Sequence, residues 1–277
     1  MRDHLLSHLQ RMRWQTAVFV NPFRSFGGST DGSCRGQGSD TLPGKEYLKD
    51  QTNQMGNKPP TVGTSTYQRI KRDIIFGHLQ PGAKLKLEAL KERYPASLST
   101  LREALNRLAS DGFVEAPEQR GFFVTPVSRE DLIEISELRV LLECHALGLS
   151  IANGDTEWEA SVVAAHHKLH VMEQQLLRGN DSEKETWKRY DWEFHQTLIA
   201  ACNSRNLLSI HAIIYDKYLR YQMLVLTYRG EEAVQEHENT FNAALARDAG
   251  KAKSLLEVHI RNGLEHTLNA MTTGDMQ

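Results

Sequence analysis

The chain has 277 residues, of which 25% are charged and 40% hydrophobic, and a formal net charge of -2. That length allows two domains with ample cores. The near-neutral balance excludes a uniformly basic coat, and no apolar run approaches the ~18 residues of a membrane-spanning helix, so any polyanion-binding surface has to be local.

Cys34, Cys144 and Cys202 lie far apart, with neither CxxC nor paired spacing, and read as free thiols in a reducing cytosol. The N-terminus lacks the apolar core and small-residue cleavage pattern of a secretory leader. A cytoplasmic protein without membrane association is expected. Charge is unevenly spread. Residues 1–61 carry eight basic against five acidic side chains, 62–127 ten against seven, and 128–277 fifteen against twenty-three. A mildly basic head that can neutralise phosphates thus joins an acidic body that a polyanion repels.

Residues 1–61 hold the Gly/Ser-rich stretch FRSFGGSTDGSCRGQGSDTLPGK and no lasting period, and a disordered extension is expected. Met55 begins a short polar lead into the first helix. This texture supports the hypothesis that translation starts at Met55 and that the preceding segment is an artefact or dispensable; an N-terminal mass including Met1 or Arg2 would sink it.

The next segment, TYQRIKRDIIFGHLQPGAKL, places Ile70, Ile74 and Ile75 in one helical stripe, ended by Gly77 and followed by a Pro81-Gly82 turn. A second short helix is expected at roughly Leu87 to Arg93. In a third, Leu101, Ala104, Leu105 and Leu108 recur at i, i+3, i+4 and i+7, leaving Arg102 and Arg107 on another face. Thr100 and Glu103 stand at capping-box spacing, and Ser97 or Ser99 could cap instead, so the start is expected within Ser97 to Leu101. Gly112 stops this helix. Phe113, Val114, Phe122, Phe123 and Val124 flank a turn through Pro117, Glu118, Gln119, Arg120 and Gly121, as two short strands would. Three small helices and a hairpin in about 65 residues match a winged helix-turn-helix, whose recognition helix enters the major groove. An amphipathic LxxALxxL helix alone is an ordinary core element; the PG turn and the RGFFV hairpin around it favour DNA binding.

The residues PGAKL, LREALNRLASDG and RGFFV, in that order and spacing, resemble the GntR family of bacterial transcription regulators over about Tyr67 to Val127. The resemblance implies that Ser97, Ser99, Thr100 and Arg102 contact DNA, with Arg120 and Gly121 at the wing tip. Many relatives carry an arginine directly after the first serine of this motif. This chain has Leu98, so the usual operator sequence is not implied.

Beyond the wing, Ser128, Arg129, Glu130 and Asp131 cap a region that is helical to Ala270, with breaks at Gly154, Gly179, Asn203, Gly230 and Gly250. About six helices are expected, near 129–152, 155–178, 183–202, 204–228, 231–248 and 250–271. The fold class is mainly α: a winged helix-turn-helix over 62–127, then an all-α bundle over 128–277.

Bundles build sites from inward-facing side chains of several helices. Asp191 and His195 are four apart and share a helix face, while His237 opens the fifth helix and His259 lies near the middle of the sixth, where antiparallel packing can join them. One carboxylate and three imidazoles suit Zn²⁺ or another first-row divalent ion. Against this, twelve histidines allow many groupings, and a lone helical histidine is more often packed or solvated. His166 and His170 also share a face, but no spacing assigns them a carboxylate, and they read as solvated or interface positions. Trp187, Trp192, Tyr215, Tyr218 and Tyr221 read as core, with one or two bordering a cavity.

DWEFHQTLIAACNSRNLL and EHENTFNAALARDAGKAKSLLEVH resemble, in order and spacing, the FCD ligand-binding domain of the FadR-like branch of the same family. That resemblance implies a metal site at Asp191, His195, His237 and His259 for Zn²⁺, with Ni²⁺ or Mn²⁺ also compatible. It places Arg139 where relatives hold an arginine facing the ligand cavity, and a guanidinium fork suits a carboxylate. Pairing of Arg139 with Glu137 or Glu143 on a helix surface is the alternative. The effector implied is a small organic acid, and the STLREAL region resembles regulators of carbon starvation and short-dicarboxylate catabolism, which favours a dicarboxylate.

Two functions follow. The first is a transcription regulator that binds operator DNA as a homodimer, with affinity set by a small carboxylate bound near a divalent metal in the C-terminal bundle. Pro126 to Ser128 is the expected coupling point. The alternative is a metal-dependent hydrolase in which the Asp/His set activates water. It lacks an HExxH pattern and a carboxylate placed by spacing to act as general base, and it gives the winged head no role.

Overall fold

A computed structural model of the chain describes residues 61–273. The disordered extension expected over 1–61 and the start at Met55 lie, apart from Thr61, outside the described residues.

Helix α1 (Val62–Ile75) begins behind Thr61, whose hydroxyl accepts from the Thr64 amide at 3.2 Å, and it buries Tyr67, Ile70, Ile74 and Ile75. Gly77 follows at φ +71°, a conformation costly for any residue with a Cβ. The Pro81-Gly82 turn leads into β1 (Lys84–Leu85) and then α2 (Leu87–Arg93). Helix α3 (Leu98–Ser110) starts behind Ser97, whose Oγ accepts from the Thr100 amide at 3.1 Å, so Ser97 supplies the cap. Leu101, Leu105 and Leu108 are fully buried, each worth about 1.5–3 kcal/mol of hydrophobic stabilisation. Gly112 at φ +79° turns the chain into β2 (Val114–Glu115), and β3 (Phe122–Val124) returns it.

The sheet has one strand more than the hairpin read from sequence. Its order is β1-β3-β2, antiparallel, with Lys84 opposite Phe123 and Val114 opposite Val124. The two residues of β1 are too few to show a period, and only their pairing with the wing makes them a strand.

Six helices follow: α4 (Arg129–Asn153), α5 (Thr156–Leu177), α6 (Lys184–Ile199), α7 (Arg205–Val225), α8 (Glu231–Leu245) and α9 (Ala249–Thr273). Ser128, Asp155 and Ser204 cap the first, second and fourth through their side chains. A 3₁₀ turn at Asp181–Glu183 precedes α6. The break expected at Gly250 is displaced: Gly250 lies in the first turn of α9, and the chain reverses at Arg247, at φ 59°. Helix α4 packs on α7 and α9, α5 on α6 and α8, and α8 on α9.

Head and bundle meet along α7. Trp192, Tyr215, Leu219 and Met223 share one apolar cluster with Tyr67, Ile70, Ile74 and the α3 leucines. Beside it Lys71 Nζ lies 2.5 Å from Asp216, both buried. The connecting segment is gripped as well. Arg220 Nη2 donates to the Thr125 carbonyl, and Tyr221 Oη accepts from the Ser128 amide at 3.1 Å and donates to Asp131 at 2.7 Å.

Candidate metal and effector centre, and candidate DNA-binding surface

Asp191 and His195 come from adjacent turns of α6, His237 from the second turn of α8, and His259 from the middle of α9. Packing of the three helices gathers them, all buried, with one potential ligand atom of each within 4.8 Å of the others. Asp191 Oδ1 lies 3.2 Å from His237 Nε2 and 3.7 Å from His195 Nε2. The His237 and His259 rings are 4.5 Å apart at their centroids, and His195 and His259 5.1 Å.

Each imidazole is braced from behind by a glutamate. His195 Nδ1 is bonded to Glu143, His237 Nδ1 donates to Glu173 Oε1 at 2.6 Å, and His259 Nδ1 donates to Glu236 Oε2 at 2.8 Å. A carboxylate on Nδ1 holds the ring proton there, orients the ring and raises the basicity of Nε2. None of the three glutamates was picked out as a brace from sequence. Glu143 was named only as a surface partner for Arg139, and Glu236 is exposed as a candidate only by adjoining His237.

Electrostatics follows from burial. Burial works against charge on His237, but Glu173 and Asp191 outweigh it and hold this imidazole up at about 9. His259 is pushed well below its ordinary value by burial and by the charge of His237. Burial also lowers His195, against the pull of Glu143. Asp191 stays ionised despite burial because Lys188 Nζ, 3.2 Å away, and the neighbouring imidazoles favour its charge. Glu143 thus faces Arg139, Asp191 faces Lys188, and Glu236 faces Arg229.

His237 Nε2 is buried 3.2 Å from Asp191 Oδ1 without forming a well-aligned hydrogen bond to it. An open imidazole nitrogen beside a carboxylate, in a set of one carboxylate and three braced imidazoles, fits a first-row divalent cation in donor type and spacing.

Arg139 is buried and reconciles the two readings made of it. Its Nε donates to Glu143 Oε2 at 2.9 Å, while its guanidinium stacks 4.4 Å from the Tyr215 ring and 4.6 Å from that of Tyr218. The pair with Glu143 lies in the interior, and Glu137 instead binds Arg261 on the surface. His211, unremarked in the sequence, donates from Nε2 to Glu143 Oε2 at 2.9 Å. Arg139, Asp191, His237 and His259 line a small polar cavity together with Lys188, Tyr218 and Arg229. Of the aromatics read as core, Trp187 and Tyr218 border this cavity, while Trp192 and Tyr215 join the cluster against the head. His166 is buried against Phe241 with ring centroids 4.1 Å apart, rather than solvated.

On the head, Ser97, Ser99 and Arg102 are exposed and Thr100 is half-buried at the start of α3. Ser97 Oγ lies 2.7 Å from Ser99 Oγ and 2.9 Å from Thr100 Oγ1, so three hydroxyls cluster at a helix N-terminus, where backbone amides and the dipole favour a phosphate. Leu98 is 39% exposed beside them. Arg120 and Gly121 are exposed at the wing tip, whose backbone is left-handed at Gln119 and Gly121. Arg107 instead stacks over Tyr67, 4.4 Å from its ring.

Residues 63–124 match the bacterial regulatory proteins of the gntR family, and residues 134–262 match the FCD domain. The chain is 37% identical over 202 residues to the HTH-type transcriptional regulator BphR of Paraburkholderia xenovorans, covering 72% of this chain and 82% of that protein. It is 32% identical over 200 residues to the HTH-type transcriptional repressor GlaR of Escherichia coli, covering 70% and 90%. Among solved structures, E. coli McbR/YncC shares the fold with a TM-score of 0.62 at 19% identity, over 76% of this chain and 99% of that one. These relatives regulate transcription and are not enzymes, which sets the hydrolase alternative aside. Head, bundle and relatives together place the chain in the GntR family of bacterial transcription regulators, as a member with an FCD domain.

Proposed function

We propose that the protein is a metabolite-responsive regulator acting in the cytoplasm, which binds operator DNA as a homodimer and changes its affinity when a small carboxylate occupies the cavity beside a divalent metal. Asp191, His195, His237 and His259 would hold the ion, Zn²⁺ first and Ni²⁺ or Mn²⁺ next. Bound there, the metal supplies a Lewis-acidic charge for the effector carboxylate, and Arg139 supplies the guanidinium fork. The observation that carries this reading is that one carboxylate and three imidazoles, each imidazole braced by a glutamate, bring one ligand atom apiece within 4.8 Å of one another. Ser97, Ser99, Thr100 and Arg102 would contact one half-site, with Arg120 and Gly121 at the wing, and two heads would match two half-sites. Winged helix over 62–127 and effector bundle over 128–277 are the two working parts. GlaR is a repressor, and the same sign is proposed here.

Coupling would run through α7. Tyr215 Oη donates to Asp191 at 3.4 Å on one side and belongs to the cluster packed on the head on the other. The segment from Pro126 to Ser128, expected to couple the parts, is held by Arg220 and Tyr221 of the same helix. An effector has to bind the two head arrangements unequally, because equal binding shifts nothing.

Metal analysis of purified wild type and His237→Ala, with operator binding measured alongside organic acids, tests the reading. Wild type is expected to hold about one divalent ion per chain and His237→Ala to lose it. Unchanged metal content in the variant, or no acid that alters operator binding, would sink the proposal.

A further inference from the structure

Helix α3 opens on an apolar side chain that the core of the head does not take up. Leu98, its first residue, is 39% exposed and stands outside the apolar cluster that takes Ala96, Leu101, Ala104, Leu105 and Leu108 from the same stretch. Single exposed leucines are ordinary on protein surfaces, but the position of this one is not. In a GntR regulator α3 is the second helix of the helix-turn-helix, whose N-terminal residues meet base edges in the major groove. Leu98 and Arg102 stand four apart, and with Asn106 they form one exposed stripe along that helix.

The neighbouring hydroxyls are engaged with one another and fix the backbone that carries Leu98. Ser97 Oγ accepts from the Thr100 amide at 3.1 Å and lies 2.7 Å from Ser99 Oγ and 2.9 Å from Thr100 Oγ1, so the chain is tied down on both sides of the leucine. A leucine side chain has neither donor nor acceptor. It cannot satisfy guanine N7 and O6, adenine N6 and N7 or cytosine N4, and set against those edges it would strip them of water and return no hydrogen bond. One group displayed in the major groove is apolar, the C5 methyl of thymine. Contact between that methyl and Leu98 removes apolar surface of both from water.

We propose that Leu98 is a specificity-determining residue of the DNA-binding helix, reading the C5 methyl of a thymine by apolar contact in each operator half-site. It favours thymine through that contact and disfavours guanine and cytosine by leaving their polar edges unpaired. This rests on the DNA contacts proposed for α3 and adds to them one base position and the base read there.

The test uses the full chain and duplex DNA. Binding sites are selected from a random-sequence library with wild type, Leu98→Ala, Leu98→Arg and Arg102→Ala. Wild type is expected to enrich a thymine at one position of the half-site, Leu98→Ala to lose that preference alone, and Leu98→Arg to exchange it for guanine, whose N7 and O6 a guanidinium pairs bidentately. On the selected site, deoxyuridine in place of that thymidine removes the methyl and keeps the pairing edge. Made in one half-site, the exchange is expected to weaken wild type about fourfold, as loss of one buried methyl allows, and to leave Leu98→Ala unchanged. The deoxyuridine comparison in wild type needs no variant, so it decides the matter even where a substitution disturbs the head. Equal binding of deoxyuridine and thymidine sites by wild type, a loss that Leu98→Ala shares, or selected sequences that Leu98→Ala leaves unaltered would overturn the assignment of Leu98 alone. If wild type enriches no sequence, or Arg102→Ala binds the selected site as tightly as wild type does, the DNA contacts proposed for α3 fall and take the reading of Leu98 with them.

Discussion

The winged head and the helical bundle are both helical, yet they place their polar groups on opposite sides. In the head, α3 buries only Leu101, Ala104, Leu105 and Leu108, and its hydroxyls and Arg102 face outward. In the bundle, α4, α6 and α8 carry Arg139, Glu143, Lys188, Asp191, His195 and His237 into the interior. Burying charge costs several kcal/mol per ion in round terms, about what a well-formed pair returns, so a chain gains little stability by it. The outward groups of the head suit a partner met at the surface, and the inward groups of the bundle suit a small ligand taken inside.

If that contrast is right, truncating an inward charge destabilises the protein while truncating an outward one does not. Glu143 is the sharpest case. It is fully buried, pairs with Arg139, and accepts from His195 and His211. Burial opposes its ionisation, but Arg139 and His195 hold its carboxyl well below the usual range. Glu143→Ala leaves an uncompensated guanidinium in the core and is expected to cost about 3–5 kcal/mol of stability, read by chemical denaturation of the whole chain. A cost within the scatter of surface substitutions would erase the distinction between the two regions.

Arg102 is the outward counterpart. Exposed on α3, it has no ion pair among the described residues. Arg102→Ala is therefore expected to leave the melting temperature unchanged and to weaken operator binding by about 1–3 kcal/mol, or ~5–150-fold, in a titration at fixed salt. Lost stability with intact DNA binding would mean that the arginine supports the head instead of reading DNA.

The same contrast explains what could be read from the sequence. A period of 3.6 reports which residues face inward, so the stripe through Leu101 and Leu108 and the wing turn at Gly121 were legible, as were six bundle helices. Asp191 and His195 share a face by spacing alone. His237 and His259 could join them through antiparallel helices, but only as one grouping among twelve histidines until the resemblance to a known domain favoured it, because contacts between helices distant in sequence leave no local pattern. Glu143, Glu173 and Glu236 were missed as braces for the same reason: each looks like an ordinary helix glutamate until another helix delivers an imidazole to it. Strand β1 and the reversal at Arg247 were missed because a two-residue strand and a non-glycine residue at positive φ have weak local signals.

One inward charge in the head tests how far the contrast extends. Asp73, on α1 and 4% exposed, accepts from Tyr94 Oη at 2.6 Å and lies 2.7 Å from Arg93 Nη2 and 3.5 Å from Arg72 Nη2. Burial raises its carboxyl, but the Tyr94 hydrogen bond and the two arginines outweigh it, and the net shift is downward. A depressed folded-state value means that Asp73 contributes stability above its unfolded value, near pH 4, and loses it as pH falls through the folded one. Asp73→Asn keeps the shape and an acceptor for Tyr94, so at neutral pH it is expected to cost about 1 kcal/mol, the net worth of a typical hydrogen bond. Below pH 4 the cost should shrink, because the wild-type carboxyl becomes neutral too. Hydrogen exchange of the Leu105 and Leu108 amides reports the head separately from the bundle, whose own carboxylates also titrate at low pH. A gap between wild type and variant that widens on acidification would reverse the sign and place the contribution of Asp73 in packing.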